Sequence, residues 1–161
     1  MIFEIDVSGQ DLLEKNYSIC VADKNNLVSG FKFNEKLIKI IKSRYGEGKY
    51  RYKKSKQGVA LLKIRIYCIT IYYIFKDIKL KNKEILLEIC RDFQGHEDDI
   101  KSNLKYFLEK RLGLNLEMRF IKLSKESNSD KYSTLMRLDT KDQFPNYVKI
   151  SLGDIEKFLK K

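Results

Sequence analysis

Residues that build common functional sites are scarce in this sequence. Its 161 residues include one histidine, one proline and no tryptophan. The three cysteines, Cys20, Cys68 and Cys90, are widely spaced and form no Cys-x-x-Cys pair. A structural zinc site needs closely spaced Cys and His ligands, so this composition argues against one. Cysteines that are odd in number and lie in apolar runs predict reduced, buried thiols, as in a cytoplasmic protein.

The chain also lacks an apolar run long enough to cross a membrane. In its most apolar stretch, 59–75 (VALLKIRIYCITIYYIF), Lys63 and Arg65 interrupt the sequence. The apolar part that follows them is ten residues long, whereas a spanning helix needs roughly 20. The amino-terminal segment carries acids where a signal peptide carries bases. We therefore expect a cytoplasmic protein that is not inserted in a membrane.

Acidic residues are outnumbered, and this imbalance points to the kind of partner. The 22 Asp and Glu residues face 33 Lys and Arg residues, so the formal net charge is +11 at pH 7. Such a charge predicts an anionic partner, with nucleic acid as the first candidate and an anionic membrane as the second. A generally Lys-rich composition is the alternative explanation. With 43% hydrophobic residues, the length fits a single globular domain over 1–161.

The positive charge is concentrated in one segment, 42–58 (KSRYGEGKYRYKKSKQG). It has seven bases, one acid, three glycines and no periodic apolar face, which predicts an exposed loop. The bases can neutralise phosphates, and the tyrosines can stack on unpaired nucleobases. The alternative is a solvated loop whose charge is incidental. The predicted nucleic-acid-binding residues are Arg44, Lys49, Tyr50, Arg51, Tyr52, Lys53, Lys54 and Lys56.

Hydrophobic periodicity predicts a sheet protein with interspersed helices. Residues 59–77 are assigned to a helix because a single strand of that length would be about 60 Å long, and no turn residue divides the apolar run. The predicted strands are 2–9, 17–22, 27–33, 84–92 and 116–123, and the first three form an antiparallel meander. The predicted helices are a short one capped by Asn34, then 59–77, one from Gly95 to Gly113, 130–141, and a last one capped by Ser151.

The first strand contains an acid in an unusual place. Asp6 lies in the middle of the strand, on the face opposite to Phe3, Ile5 and Val7, because strand side chains alternate. Asp is depleted in strand interiors, and a mid-strand acid has no helix to cap. These two facts favour a functional role for Asp6.

The order of predicted elements, three strands and then alternating helices and strands, resembles that of the ribonuclease H-like superfamily. The resemblance covers 2–141, and the opening Ile5–Gly9 (IDVSG) is similar to the I-D-x-small-G opening of the resolvase branch. It implies an α/β fold with a mixed sheet, in which parallel strands follow three antiparallel ones, and with helices on both faces. Relative to that pattern, 42–58 is an insertion and 143–161 is an extension with a short strand and a helix.

The resemblance also implies a metal site and a reaction. In that superfamily, acids on the first strand, at the end of the fourth strand and at the start of the last core helix bind metal, and here those places hold Asp6, Asp92 and Asp130. The implied cofactor is Mg²⁺ or Mn²⁺, and the implied activity is metal-dependent cleavage of phosphodiesters. Acids of the segment 97–99 are candidates for a further ligand, although acids in a first helical turn also have an ordinary stabilising role.

Two other functions stay open. The predicted helix has no acid over 59–76, where many members of the superfamily carry one, and this favours a non-catalytic nucleic-acid-binding module on the same fold. An actin-like or kinase-like phosphotransfer half-domain also opens with an acid on its first strand. The sequence contains no glycine-rich phosphate loop of the kind that such enzymes use.

Overall fold

The computed structural model describes residues 1–14, 16–24, 28–91, 93–122, 128–139, 141 and 146–160, with only the backbone for 128–131. Five strands, five α-helices and one π-helical segment are found in this part of the chain. The strands are β1 Ile2–Ser8, β2 Ser18–Asp23, β3 Val28–Lys32, β4 Glu84–Cys90 and β5 Asn115–Ile121. The helices are α1 Glu35–Gly46, α2 Lys56–Asp77, α3 Glu97–Leu104, α4 Asn128–Leu138 and α5 Leu152–Glu156.

The five strands form one mixed sheet in the order β3-β2-β1-β4-β5. β1 is antiparallel to β2 and parallel to β4. β2 is likewise antiparallel to β3, and β4 is parallel to β5. The strand order and directions confirm the predicted α/β class, with an antiparallel meander followed by parallel strands. The predicted cap of α1 is also present, because Asn34 Oδ1 accepts a hydrogen bond of 2.8 Å from the Leu37 amide.

Helices cover both faces of the sheet, as predicted. On one face α2 packs against β1, where the rings of Phe3 and Phe75 lie 5.1 Å apart in an edge-to-face arrangement. α3 packs on α2 in turn. On the other face α4 packs on β1, β2 and β3, and Ser18 Oγ donates a 2.8 Å hydrogen bond to the Ser133 carbonyl. Successive side chains of β1 therefore face α2 and α4 in turn.

The helix α2 is the central core helix of the fold. It begins at Lys56, three residues before the predicted start, because Ser55 Oγ accepts a 3.0 Å hydrogen bond from the Gly58 amide. A β-carbon at position 58 would overlap the Lys53 carbonyl, so glycine is required there. By length and composition α2 could cross a membrane, but 67% of its most apolar window is buried within the fold.

The helix predicted between Gly95 and Gly113 changes its geometry midway. Its first part is α3, and the chain continues as a π-helical segment over Lys105–Arg111. Phe107 and Leu108 in that segment are buried, so the wider turn keeps the apolar face on the core. The segment ends before Gly113, whose φ of 72° suits glycine.

The prediction of an exposed loop over 42–58 is wrong at both ends of that segment, which are helical, although most of its residues are exposed. Residues up to Gly46 form the last turns of α1, and α2 already begins at Lys56. Between them Tyr50 is 1% exposed and pairs with Lys160 in an antiparallel bridge. The carboxy-terminal segment packs on Tyr50 and buries its side chain, while most of the other residues of 42–58 stay exposed.

The predicted extended stretch after the only proline joins the edge of the sheet. Tyr147 forms a parallel bridge with Gly30 of β3, and the Val148 amide donates a 2.8 Å hydrogen bond to the Gly30 carbonyl. The predicted capping box at the start of α5 is confirmed, since Ser151 and Asp154 exchange side-chain and backbone hydrogen bonds. The carboxy-terminal segment thus caps an edge strand that would otherwise offer unpaired backbone groups.

Candidate functional site at the carboxyl end of β1

The structure places Asp6 inside the sheet and beneath α4. Its register partner on β2 is Cys20, and Cys20 packs with Met136 of α4. Side chains that are paired in register share one face of a sheet, so Asp6 also faces α4. The residue is 7% exposed, and its Oδ1 accepts a 2.9 Å hydrogen bond from the Val7 amide.

Acidic side chains gather on this face of the sheet. Glu4 lies two residues before Asp6 on β1 and is in register with Glu88 of the parallel neighbour β4. All three acids therefore lie on the same face. Burial raises the pKa of the Cys20 thiol, and the charges of Asp6 and Glu4 raise it further. The negative charges of Asp6 and Glu4 on β1 therefore act on the Cys20 thiol of β2.

Position 137 supplies a cation at the same end of β1. Arg137 Nε donates a 2.8 Å hydrogen bond to Ser8 Oγ, and Ser8 is the last residue of β1. Ser133, Met136 and Arg137 follow one another at the spacing of one helix face, and each contacts the sheet. Sequence reasoning missed Arg137, because nothing in the spacing of α4 alone tells which strand end the helix will meet.

For two of the three predicted metal ligands the structure describes no side chain. Asp92 lies outside the described residues altogether, and for Asp130 the backbone alone is described, in the first turn of α4. Among the side chains that the structure describes, no group of three or more His, Cys, Asp and Glu residues is arranged to hold a metal ion. The carboxylate of Asp6 has the oxygen chemistry that Mg²⁺ prefers, and the predicted triad stays a prediction.

The acids that follow β4 have local partners. Glu97, Asp98 and Asp99 form the first turn of α3, where negative charge stabilises a helix. Asp99 Oδ2 lies 3.1 Å from Nδ1 of His96, which is the residue before the helix. This arrangement accounts for Asp99 and His96 as a pair at a helix start.

The predicted nucleic-acid-binding residues separate into two groups. Arg44 and Tyr50 both bind the carboxylate of Glu156, and Arg51 Nη2 donates a 2.8 Å hydrogen bond to the Phe158 carbonyl. These three side chains fasten the carboxy-terminal segment to the rest of the fold. The ring of Tyr50 is buried and cannot stack on a nucleobase in this structure. The second group consists of four exposed lysines and the half-buried Tyr52: Lys49, Lys53, Lys54, Lys56 and Tyr52.

A cleft opens at the same end of β1 but on the other face of the sheet. It has a volume of about 380 Å³ and lies between the turn after β1, the first half of α2 and the loop after β4. Val7 is in its wall, and Val7 is adjacent to Asp6 in a strand whose side chains alternate. Sequence reasoning missed the cleft residues Lys63 and His96 as a set, since 32 intervening residues separate them in the chain.

Comparisons with protein-family models, with curated proteins and with solved structures find no match to this chain. Its function is therefore inferred from the geometry described above.

Proposed function

We propose that this protein is a cytoplasmic, metal-dependent nuclease with a ribonuclease H-like fold. The observation that carries the proposal is the position of Asp6, a buried acid in the middle of β1, on the face that α4 covers. β1 lies between an antiparallel and a parallel neighbour in the order β3-β2-β1-β4-β5. This is the arrangement that the resemblance in element order implies for a strand carrying a metal ligand.

Three further features support a phosphodiester substrate. Glu4 and Glu88 add carboxylates to the face that carries Asp6. Arg137 brings a guanidinium to the carboxyl end of β1, and guanidinium groups bind phosphate well. The net charge of +11 favours association with an anionic polymer.

In this proposal Asp6, Asp92 and Asp130 would hold Mg²⁺ or Mn²⁺. A divalent ion held there would supply Lewis-acid activation of water and stabilisation of negative charge on phosphate oxygens. The protein's own part is to keep Asp6 buried beneath α4, which strengthens its electrostatic interactions. Arg137 orients a phosphate at the strand end, and Lys53, Lys54 and the bases near them hold the nucleic-acid backbone.

The experiment that tests this function measures cleavage of labelled single-stranded DNA, duplex DNA, RNA, RNA–DNA hybrid and four-way junction, with Mg²⁺, with Mn²⁺ and with chelator. We expect metal-dependent cleavage of at least one substrate. Asp6→Asn should lower that cleavage by at least about 100-fold, more than the loss of a residue that only supports a metal ligand costs, while the affinity for nucleic acid is kept. Asp23→Asn is the matched control, because Asp23 is also a buried acid of the sheet. It is the last residue of β2 and pairs with Phe3, near the amino end of β1.

Two results would contradict the proposal. One is an Asp6→Asn protein with full activity, and the other is cleavage that persists in chelator.

The second candidate function, a non-catalytic nucleic-acid-binding module, is favoured by the absence of acids from α2 before Asp77. Salt-dependent binding of nucleic acid without metal-dependent cleavage of any substrate in the panel would select that function.

A further inference from the structure

The cleft on the Val7 face of the sheet has the size and position of a ligand site. Its volume of about 380 Å³ falls within the roughly 300–1,000 Å³ of small-molecule sites. It opens beside the carboxyl ends of the parallel strands β1 and β4, and in α/β sheets ligands commonly bind at this edge. The turn after β1 is held in shape by Asp11, whose Oδ1 accepts a 2.9 Å hydrogen bond from the Leu13 amide.

The inner wall of the cleft is apolar and contains two aromatic rings. Phe93 is half-buried and packs on Tyr67 of α2 with ring centroids 5.0 Å apart. Tyr17 is 3% exposed and packs against Phe33. Phe93, which Tyr67 holds in place, offers a preformed surface for a flat ligand group with apolar faces, and the nearly fully buried Tyr17 forms a further part of the wall. Nucleobases are flat rings with such faces, and they stack on aromatic side chains.

The rim of the cleft is cationic. Lys56 and Lys63 contribute to it, and Asp11 is the one acid among its lining residues. Asp11 Oδ2 accepts a 2.8 Å hydrogen bond from Lys63 Nζ. Burial opposes the ionisation of Asp11, but the hydrogen bonds from Lys63 and Leu13 and the charge of Lys63 hold its pKa below the ordinary value. The acid is therefore ionised and already neutralised by Lys63.

Lys56 supplies the positive charge that remains. It is exposed, and among the described residues it forms no ion pair within 4 Å. It is also the first residue of α2, a helix of 22 residues, so the positive end of the helix dipole adds to its charge. An anion at this end of the cleft is favoured by both.

We propose that this cleft binds a single nucleotide, with its base against the wall of Phe93 and Tyr17 and its phosphate at Lys56. The wall favours a flat ring with apolar faces, and the rim favours an anionic group attached to it. This binding goes beyond the proposed cleavage and needs no metal, because Asp6 lies on the opposite face of the sheet.

The test is a titration of the metal-free protein with thymidine 5′-monophosphate, with thymidine and with inorganic phosphate, followed by two-dimensional amide NMR. The nucleotide should bind at least about tenfold more tightly than either part alone, a difference of 1.4 kcal/mol. The amides that shift should lie in the turn 9–12, the start of α2 and the loop 93–96. Equal binding of inorganic phosphate, or no saturable binding of the nucleotide at millimolar concentration, would overturn the proposal.

Two variants connect the binding to the cleft. Ala60→Leu places three more carbons in the wall of the cleft, because Ala60 lines it, and Lys56→Ala removes the free charge from its rim. Each should weaken nucleotide binding at least about tenfold. Lys79→Ala removes an exposed lysine beyond the other end of α2 and should leave it unchanged. Undiminished affinity in Lys56→Ala, which alters only an exposed side chain, would contradict the proposal even if Ala60→Leu failed to fold.

Asp6→Asn separates this site from the proposed nuclease site. The variant should bind the nucleotide as the unmodified protein does, since its altered side chain faces α4 and not the cleft. A protein that binds the nucleotide but cleaves no substrate would support the cleft and refute the nuclease. A protein that cleaves but does not bind the nucleotide would refute the cleft alone.

Discussion

The guanidinium of Arg44 forms an ion pair with the buried carboxylate of Glu156. Arg44 lies in the last turn of α1, and Glu156 is the last residue of α5. The hydroxyl of Tyr50 donates a 2.9 Å hydrogen bond to the other oxygen of the same carboxylate. One acid from the carboxy-terminal segment therefore binds two side chains of the basic segment, and this joins α5 to the end of α1 and the residues that follow it.

Removing the charge of Glu156 should destabilise the protein. In Glu156→Gln, the Arg44 guanidinium loses its counter-charge and the Tyr50 hydroxyl loses a charged acceptor. We expect the free energy of unfolding to fall by about 1–3 kcal/mol, less than for a fully buried pair because the Arg44 side chain is 37% exposed. Urea denaturation followed by circular dichroism measures this change.

The matched control is Glu117→Gln. Glu117 also pairs with an arginine, Arg119, but its side chain is 67% exposed. An exposed pair contributes at most about 1 kcal/mol, so this variant should stay close to the unmodified protein. Equal losses in the two variants would show that burial of Glu156 contributes nothing.

The same carboxylate should make stability depend on pH. Burial opposes the ionisation of Glu156, but the hydrogen bonds from Arg44 and Tyr50, with the charges of Arg44 and Lys160, more than offset it and hold its pKa below the ordinary 4.5. A group whose pKa is lowered by folding stabilises the folded state above its unfolded pKa, and this contribution is lost as the pH falls through the folded pKa.

The stability difference between the unmodified protein and Glu156→Gln should therefore be largest near about pH 6 and shrink toward about pH 3. Denaturation curves of both proteins across this range measure it. A difference that stays constant with pH would mean that the carboxylate has the same pKa in the folded and unfolded states.

The exposed part of the basic segment should bind nucleic acid through phosphates. Lys53→Ala and Lys54→Ala should each weaken binding to all sequences similarly and reduce the slope of log K against log salt by about 1. Fluorescence anisotropy with a labelled oligonucleotide at several salt concentrations measures both quantities. Lys79→Ala, which removes the same charge beyond the far end of α2, should leave the slope unchanged.

Arg51→Ala should behave differently from the lysine variants. Its guanidinium binds the Phe158 carbonyl, so its loss should lower thermal stability, which Lys53→Ala should not. A lower melting temperature in both variants would mean that Lys53 also has a structural role.

The close packing of α4 on the sheet gives a further prediction. A β-carbon at Gly30 would overlap the side chain of Met136 and lie 2.8 Å from the Ile19 carbonyl oxygen. Gly30→Ala should therefore loosen α4 and destabilise the protein by about 1–3 kcal/mol, the usual cost of overpacking. Faster amide hydrogen exchange within α4 would report this.

Gly46→Ala is the control for that variant. It lies at the end of α1 with nothing within 4 Å of an added β-carbon. Alanine there should be neutral or stabilising by up to about 1 kcal/mol, because it reduces the freedom of the unfolded chain. If Gly46→Ala were as destabilising as Gly30→Ala, the packing of Met136 would not be the cause.

Local sequence patterns determined most of the secondary structure of this protein. Alternation at Phe3, Ile5 and Val7 predicts β1, because strand side chains repeat every 2 residues. The length of the apolar stretch 59–77 predicts α2, because an undivided strand of that length would be about 60 Å long. Asn34 and Ser151 mark two helix starts, since a capping side chain acts within three residues of its own position. The same local reasoning singled out Asp6 as an acid without an ordinary structural role.

The tertiary structure alone decided which contacts the basic segment makes and where the cleft lies. The sequence predicted Tyr50 and Arg44 as exposed nucleic-acid-binding residues. Their common partner Glu156 lies 106 residues after Tyr50 and 112 residues after Arg44 along the chain. Periodicity carries no information about such distant pairs, because it reflects only which face of an element is apolar. For the same reason the cleft beside Val7, formed by three separate segments, and the contact of Arg137 with the end of β1 emerge only once the chain is folded.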